Sequence, residues 1–91
     1  MKGGYGRRWS EMAPRGRERR EMLDKCGSKC FLGDGTSYPV CGVTRRYRRP
    51  SCRISTKGLR AAKYVAGRMR NYKVEEKADK LLKKRRTARK R

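Results

Sequence analysis

Histidine does not occur in this chain. Its absence removes the commonest general base and the commonest metal ligand together, and leaves any zinc site dependent on cysteine thiolates. Large apolar residues are nearly as scarce: Leu, Ile, Val and Phe together number 11 of 91 residues, with a single Phe and a single Trp. So thin a set does not by itself offset the conformational entropy of folding a small domain. No run approaches the ~18 apolar residues of a membrane span. The stretch "MKGGYGRRWSEM" lacks a signal-peptide apolar core, and Lys2 stands where a myristoylation start needs glycine, so neither secretion nor a lipid anchor is expected. Acids are few as well, 8 against 29 Lys and Arg, for a formal charge of +21. That charge repels itself in any compact state and favours a polyanionic partner. The expectation is one small domain with basic tails, ordered by cysteine staples, a metal or a large partner rather than alone.

What is present falls into four segments. Residues 1–13 read as a flexible arm, with Gly3, Gly4 and Gly6 around Tyr5, Arg7, Arg8 and Trp9. Such an arm either lies on nucleic acid, cations on phosphates and rings on bases, or docks Trp9 in a neighbouring protein's groove. Residues 14–54 read as a helix followed by an irregular, cysteine-bearing region. The helix is "PRGRERREMLDKCG", with proline in its first turn, Met22, Leu23 and Cys26 as a short stripe and Gly27 as its C-cap; Gly16 weakens it. After it, "GDG" at 33–35 marks a turn, "SYPVC" and "SCRIS" read as short extended pieces, and "TRRYRRP" as a basic loop tip between them. Residues 55–86 read as an antiparallel helical hairpin. Ser55 or Thr56 caps its first helix, whose Leu59, Ala62, Ala66 and Met69 share a face, and Asn71 stops it. Its second helix places Val74, Ala78, Leu81 and Leu82 on one side, with acids from Glu75 to Asp79 in the early turns. Residues 87–91 complete a basic tail, the end of the run "KKRRTARKR". The fold class is therefore small and mainly α, with a cysteine-stapled irregular segment between a first helix and the hairpin.

Cys26, Cys30, Cys41 and Cys52 follow a C-x3-C-x10-C-x10-C spacing. Four thiolates suit a tetrahedral zinc, but the paired C-x2-C knuckles of common zinc modules are missing. Two disulfides would staple the region that lacks a core, against which a reducing cytosol argues. Buried free thiols packed around Phe31, Leu32, Tyr38 and Val40 are the third reading. No cofactor other than zinc at these cysteines is expected. Nothing gathers a catalytic set: Lys25 and Lys29 flank thiols but stand among many cations, the acids sit on helix surfaces, and the glycine turns are too short to cradle phosphate. The chain reads as a non-enzyme.

Taken in order, "KCGSKCFL", "SYPVC", "CRISTKGLRAAKYVA" and "VEEKADKLLKK" resemble a pattern of small basic proteins encoded by nucleocytoplasmic large DNA viruses. The similarity covers residues 25–84 and leaves the role of the "RRYRRP" loop open. The resemblance implies a virion component, assembled in host cytoplasm, either beneath an icosahedral capsid shell or on the packaged DNA. It also implies a viral thiol oxidase, which answers the compartment objection and favours disulfides.

Two functions follow. In the first the chain is a minor capsid protein cementing the inner face of the shell, docking capsid proteins through Trp9, Phe31, Leu32, Tyr38, Val40, Leu59 and Met69. In the second it is a sequence-nonspecific nucleic-acid binder, condensing viral DNA or, should the resemblance fail, binding RNA in the manner of a ribosomal protein. Arg45, Arg46, Arg48, Arg49, Lys83, Lys84, Arg85, Arg86, Arg89, Lys90 and Arg91 would then hold phosphates. Nothing resembles a base-reading helix. The two differ in whether the apolar residues form an internal core or a surface for another protein, and so small a hydrophobic content favours the capsid role, with nucleic-acid binding as the alternative.

Overall fold

A computed structural model describes residues 8–89, with side chains described through Arg85. The expected Tyr5, Arg7, Lys90 and Arg91, and the side chains of Arg86 and Arg89, lie outside these described residues. The elements run α1 (Trp9–Met12), α2 (Arg17–Cys26), a 3-10 turn (Ser28–Cys30), β1 (Cys41–Val43), β2 (Pro50–Ile54), α3 (Thr56–Arg68) and α4 (Tyr72–Arg89). The fold is small and mainly helical, as read from the sequence. No helix among the described residues is long and apolar enough to cross a membrane.

Local chemistry explains the boundaries. Gly27 caps α2 as expected, at φ +85°, and its N–H donates to the Leu23 carbonyl. The helix begins three residues after Pro14 because Gly16, at φ +48°, turns the chain into it. Ser55 caps α3, its hydroxyl accepting from the Gly58 N–H at 3.3 Å. Asn71 serves two helices. Its N–H donates to the Ala66 carbonyl at the end of α3, and its side-chain oxygen accepts from the Val74 N–H at the start of α4. That shared cap makes the link between α3 and α4 short, and the two pack as the expected hairpin.

Strands β1 and β2 pair antiparallel, Cys41 opposite Ile54 and Val43 opposite Pro50. While β1 advances two residues, β2 retreats four, so β2 carries a bulge, with Cys52 at φ +58° inside it. The extended segment read as "SYPVC" overlaps β1 only at Cys41. Its earlier part makes one isolated bridge, Phe31 to Pro39, before the chain straightens. Two disulfides close this region, Cys26 to Cys52 and Cys30 to Cys41, with Cα separations of 5.2 and 5.1 Å inside the usual range. They use all four thiols that a zinc site would need.

The apolar residues divide into two clusters joined by Ile54. One lies under the hairpin and comprises Leu32, Val40, Leu59, Ala62, Ala66, Val74 and Ala78; the other surrounds the inner disulfide with Met22, Phe31 and Val43. This corrects the docking set: Phe31, Leu32, Val40 and Leu59 are buried and offer no surface to a partner. They are internal because small residues, three alanines and two half-cystines, let the elements close tightly around them. Residues 9–13 depart from the flexible arm as well. Trp9 packs its ring over Gly58, where an added Cβ would lie 2.8 Å from the ring, so α1 is seated on α3.

Candidate polyanion surface and docking groove

The turn joining β1 and β2 is built on Thr44. Its backbone exchanges hydrogen bonds with Arg48 and Arg49, and its hydroxyl accepts from the Arg49 N–H. Arg45, Arg46 and Arg49 are exposed there, beside an exposed Tyr47 whose ring carries the Arg49 guanidinium 5.7 Å from its centroid. Arg48 turns the other way, at φ +50°. Its guanidinium grips the Glu18 carboxylate with two bonds of 2.7 and 2.9 Å and donates to the Glu11 and Ala13 carbonyls. This corrects the phosphate-binding expectation for Arg48: its donors are committed to tying the turn to α2 and to the segment before it.

The same correction applies to Arg85. It donates to the Ile54 carbonyl at 2.7 Å and to the Thr56 hydroxyl at 3.3 Å, pinning α4 to the start of α3. Lys83 is exposed yet lies 3.3 Å from Asp79, which also binds Lys63 at 2.8 Å, while Lys84 points outward. The paired carboxylates have lowered pKa values. The Arg48 hydrogen bond holds Glu18 below the usual 4.5, aided by the Arg15 backbone N–H, and the Lys63 hydrogen bond, then that of Lys83, holds Asp79 below 3.8. Arg48 is raised in turn by its bond to Glu18.

The structure adds residues that the sequence reading passed over. Arg60, Tyr64 and Arg68 stand at i, i+4 and i+8, on one face of α3. Tyr64 is 66% exposed, with the Arg68 guanidinium 5.8 Å from its ring centroid. They line a shallow groove of about 570 Å³ between α3 and α4, shared with Lys63, Glu75 and Leu82. The four-residue spacing within "RAAKYVAGR" is the available signal, weaker than the apolar stripe on the opposite face. An exposed ring flanked by guanidinium groups can stack on a base while its neighbours hold phosphates.

A second concavity, of about 430 Å³, gathers the remaining docking candidates. Trp9, Tyr38 and Met69, distant in sequence, line it together with Pro39, Val65 and three alanines. Met69 does not reach the hairpin core as its spacing had suggested. Following the last turn of α3, it is 68% exposed at the groove's edge. No protein-family model, curated protein or solved structure matches this chain.

Proposed function

We propose that this chain is a non-enzymatic structural protein of a virus particle, holding packaged nucleic acid on its cationic surface without reading sequence. The observation that carries the reading is the division of its side chains. Most of the few large apolar residues, among them Met22, Phe31, Leu32, Val40 and Leu59, are turned inward, with Val65 and Met69 left exposed, while exposed arginines and lysines of a +21 chain, two of them beside exposed tyrosines, face solvent. A rigid scaffold displaying unmatched charge gains affinity by releasing counterions from a polyanion. The virion setting follows from the resemblance of "KCGSKCFL", "SYPVC" and the hairpin motifs to basic proteins of large DNA viruses. Titration of random-sequence 30-bp duplexes across a salt series tests the reading. The expected result is a steep linear fall of log affinity with log salt, equal for unrelated sequences. Affinity that survives salt, that discriminates sequences, or that is missing at low salt would refute it.

A minor capsid role is the second reading, favoured by the convergence of Trp9, Tyr38 and Met69 on one groove. It places the chain between shell and genome. Cross-links from Lys25, Lys29 or Lys57 to shell proteins that survive nuclease would support that placement. Loss of the chain together with the digested genome would leave the nucleic-acid role alone.

A further inference from the structure

The groove of Trp9, Tyr38 and Met69 has features of a preformed binding site. Both aromatic walls rest on glycines that admit no side chain. A Cβ on Gly58 would lie 2.8 Å from the Trp9 ring, and one on Gly33 would lie 2.7 Å from the Tyr38 ring. Tyr38 holds its place at φ +54°, a conformation costly for a side chain of that size and retained where the surroundings fix it. The floor is small, with Ala61 and Ala62, and the far edge is the exposed pair Val65 and Met69. Among the described residues lining the groove, Arg19 alone is charged. Its guanidinium is steadied by the Pro14 and Thr36 carbonyls through Nε and Nη1, which leaves Nη2 without a partner among the described residues.

We infer that this groove docks an acidic segment of a partner protein, one that inserts an apolar side chain between Trp9 and Tyr38 and sets a carboxylate on Arg19. The occupant follows from charge complementarity. A second copy would bring another +21 to the contact, whereas an acidic strand or helix is drawn in by the same field and matches the one charged group at the rim. Two rigid aromatics beside an arginine are the composition that dominates binding energy in interfaces. The inference deepens the shell-facing reading above and does not depend on the nucleic-acid one.

Trp9 is the sole tryptophan, so its fluorescence reports the groove directly. The probe is a synthetic peptide of 13 residues with Leu and Phe four positions apart in a background of Glu and Asp, titrated at physiological salt. A Ser-for-Leu/Phe peptide of equal charge and a Lys-for-Glu/Asp peptide of equal apolarity serve as comparisons. The expected result is saturable binding of the first peptide with a blue shift of Trp9, and weakening by at least about fivefold for either comparison peptide. Val65→Gln and Met69→Gln, both uncharged changes at exposed positions, should weaken the first peptide by a similar factor while leaving duplex DNA affinity unchanged. Equal binding of the charge-only peptide, an unmoved Trp9 emission, or unaffected Val65→Gln and Met69→Gln variants would overturn the inference. So would dimerisation abolished by Val65→Gln, which would give the groove to a second copy, or displacement of the peptide by DNA with the same Trp9 shift. Loss of DNA binding alone would sink the nucleic-acid reading and leave this one standing.

Discussion

Breaking the two disulfides should remove most of the stability of this protein. The inner bond, Cys30 to Cys41, closes a loop with a sequence separation of 11, and the outer, Cys26 to Cys52, one of 26. Loop-closure entropy assigns the inner bond about 2.8 kcal/mol, and the outer about 3 kcal/mol once the inner has shortened its loop to roughly 15 residues. Together they supply about 6 kcal/mol, against a total of about 5–14 kcal/mol for a domain of this length. An apolar core built from so few large side chains belongs at the lower end of that range. The fully reduced chain should therefore stand near its unfolding midpoint at room temperature. Order of reduction is also fixed by burial, since Cys30 and Cys41 are fully buried whereas Cys26 and Cys52 are partly exposed. Titration with a phosphine reductant, alkylation and peptide mapping should show Cys26 and Cys52 labelled first, with lowered thermal stability but retained helix. Cys30 and Cys41 should be labelled only as far-UV dichroism collapses. Before reduction the intact mass should be about four hydrogens below that of the thiol form. A melting curve indifferent to full reduction, labelling in the reverse order, or a zinc ion retained until chelated would refute the reasoning.

Three further outcomes are expected. Arg48→Lys replaces a two-pronged grip on Glu18 and two carbonyl bonds with a single ammonium, and should cost about 1–2 kcal/mol in chemical denaturation after allowance for partial exposure; a change within error would show the tie to be ornamental. Glu18 and Asp79 titrate below their usual 4.5 and 3.8 in the folded chain, so their ionised forms favour folding. Their contribution is complete above those usual values and disappears as acid carries the pH down through the lowered folded ones, so melting temperature should fall below about pH 4.5, less so in Glu18→Gln and Asp79→Asn. A decline of the same size in both variants would remove these groups as its cause. Gly58→Ala drives a methyl to 2.8 Å from both the Trp9 ring and the Val40 carbonyl, and should cost about 1–3 kcal/mol with a red-shifted tryptophan emission; an unshifted spectrum would mean that α1 does not sit where described.

The hairpin was legible because its signals are local. Ser55, Asn71 and the small residues at helical spacing act within a turn or two of themselves, and the structure uses them as read. The cap at Gly27 was legible for the same reason. What could not be read depends on pairings across long separations. Arg48 lies in a run of cations that looks uniform, and only its meeting with Glu18, 30 residues earlier, distinguishes it from Arg45 or Arg46. Arg85 likewise is set apart from Lys84 by the carbonyl of Ile54 and the hydroxyl of Thr56 within its reach. The docking residues separated on the same principle. Tertiary closure buried Phe31, Leu32, Val40 and Leu59 and brought Trp9, Tyr38 and Met69 together. The aromatic–arginine face of α3 was legible in spacing but competed with the stronger apolar signal of the opposite face.

The disulfides are nested, one bond lying within the span of the other, and this gives the molecule the covalent topology of two concentric rings. Residues 31–40 belong to both rings and residues 42–51 to the outer ring alone. The exposed arginines of the Thr44–Arg49 turn invite cleavage by trypsin-like proteases, yet a cut there opens only the outer ring. The N-terminal piece, carrying α1 and α2, stays bonded through Cys26 and Cys52 to the piece carrying the hairpin. A nick in the most cationic loop therefore leaves a two-chain molecule of undiminished mass apart from one added water, which comes apart only on reduction.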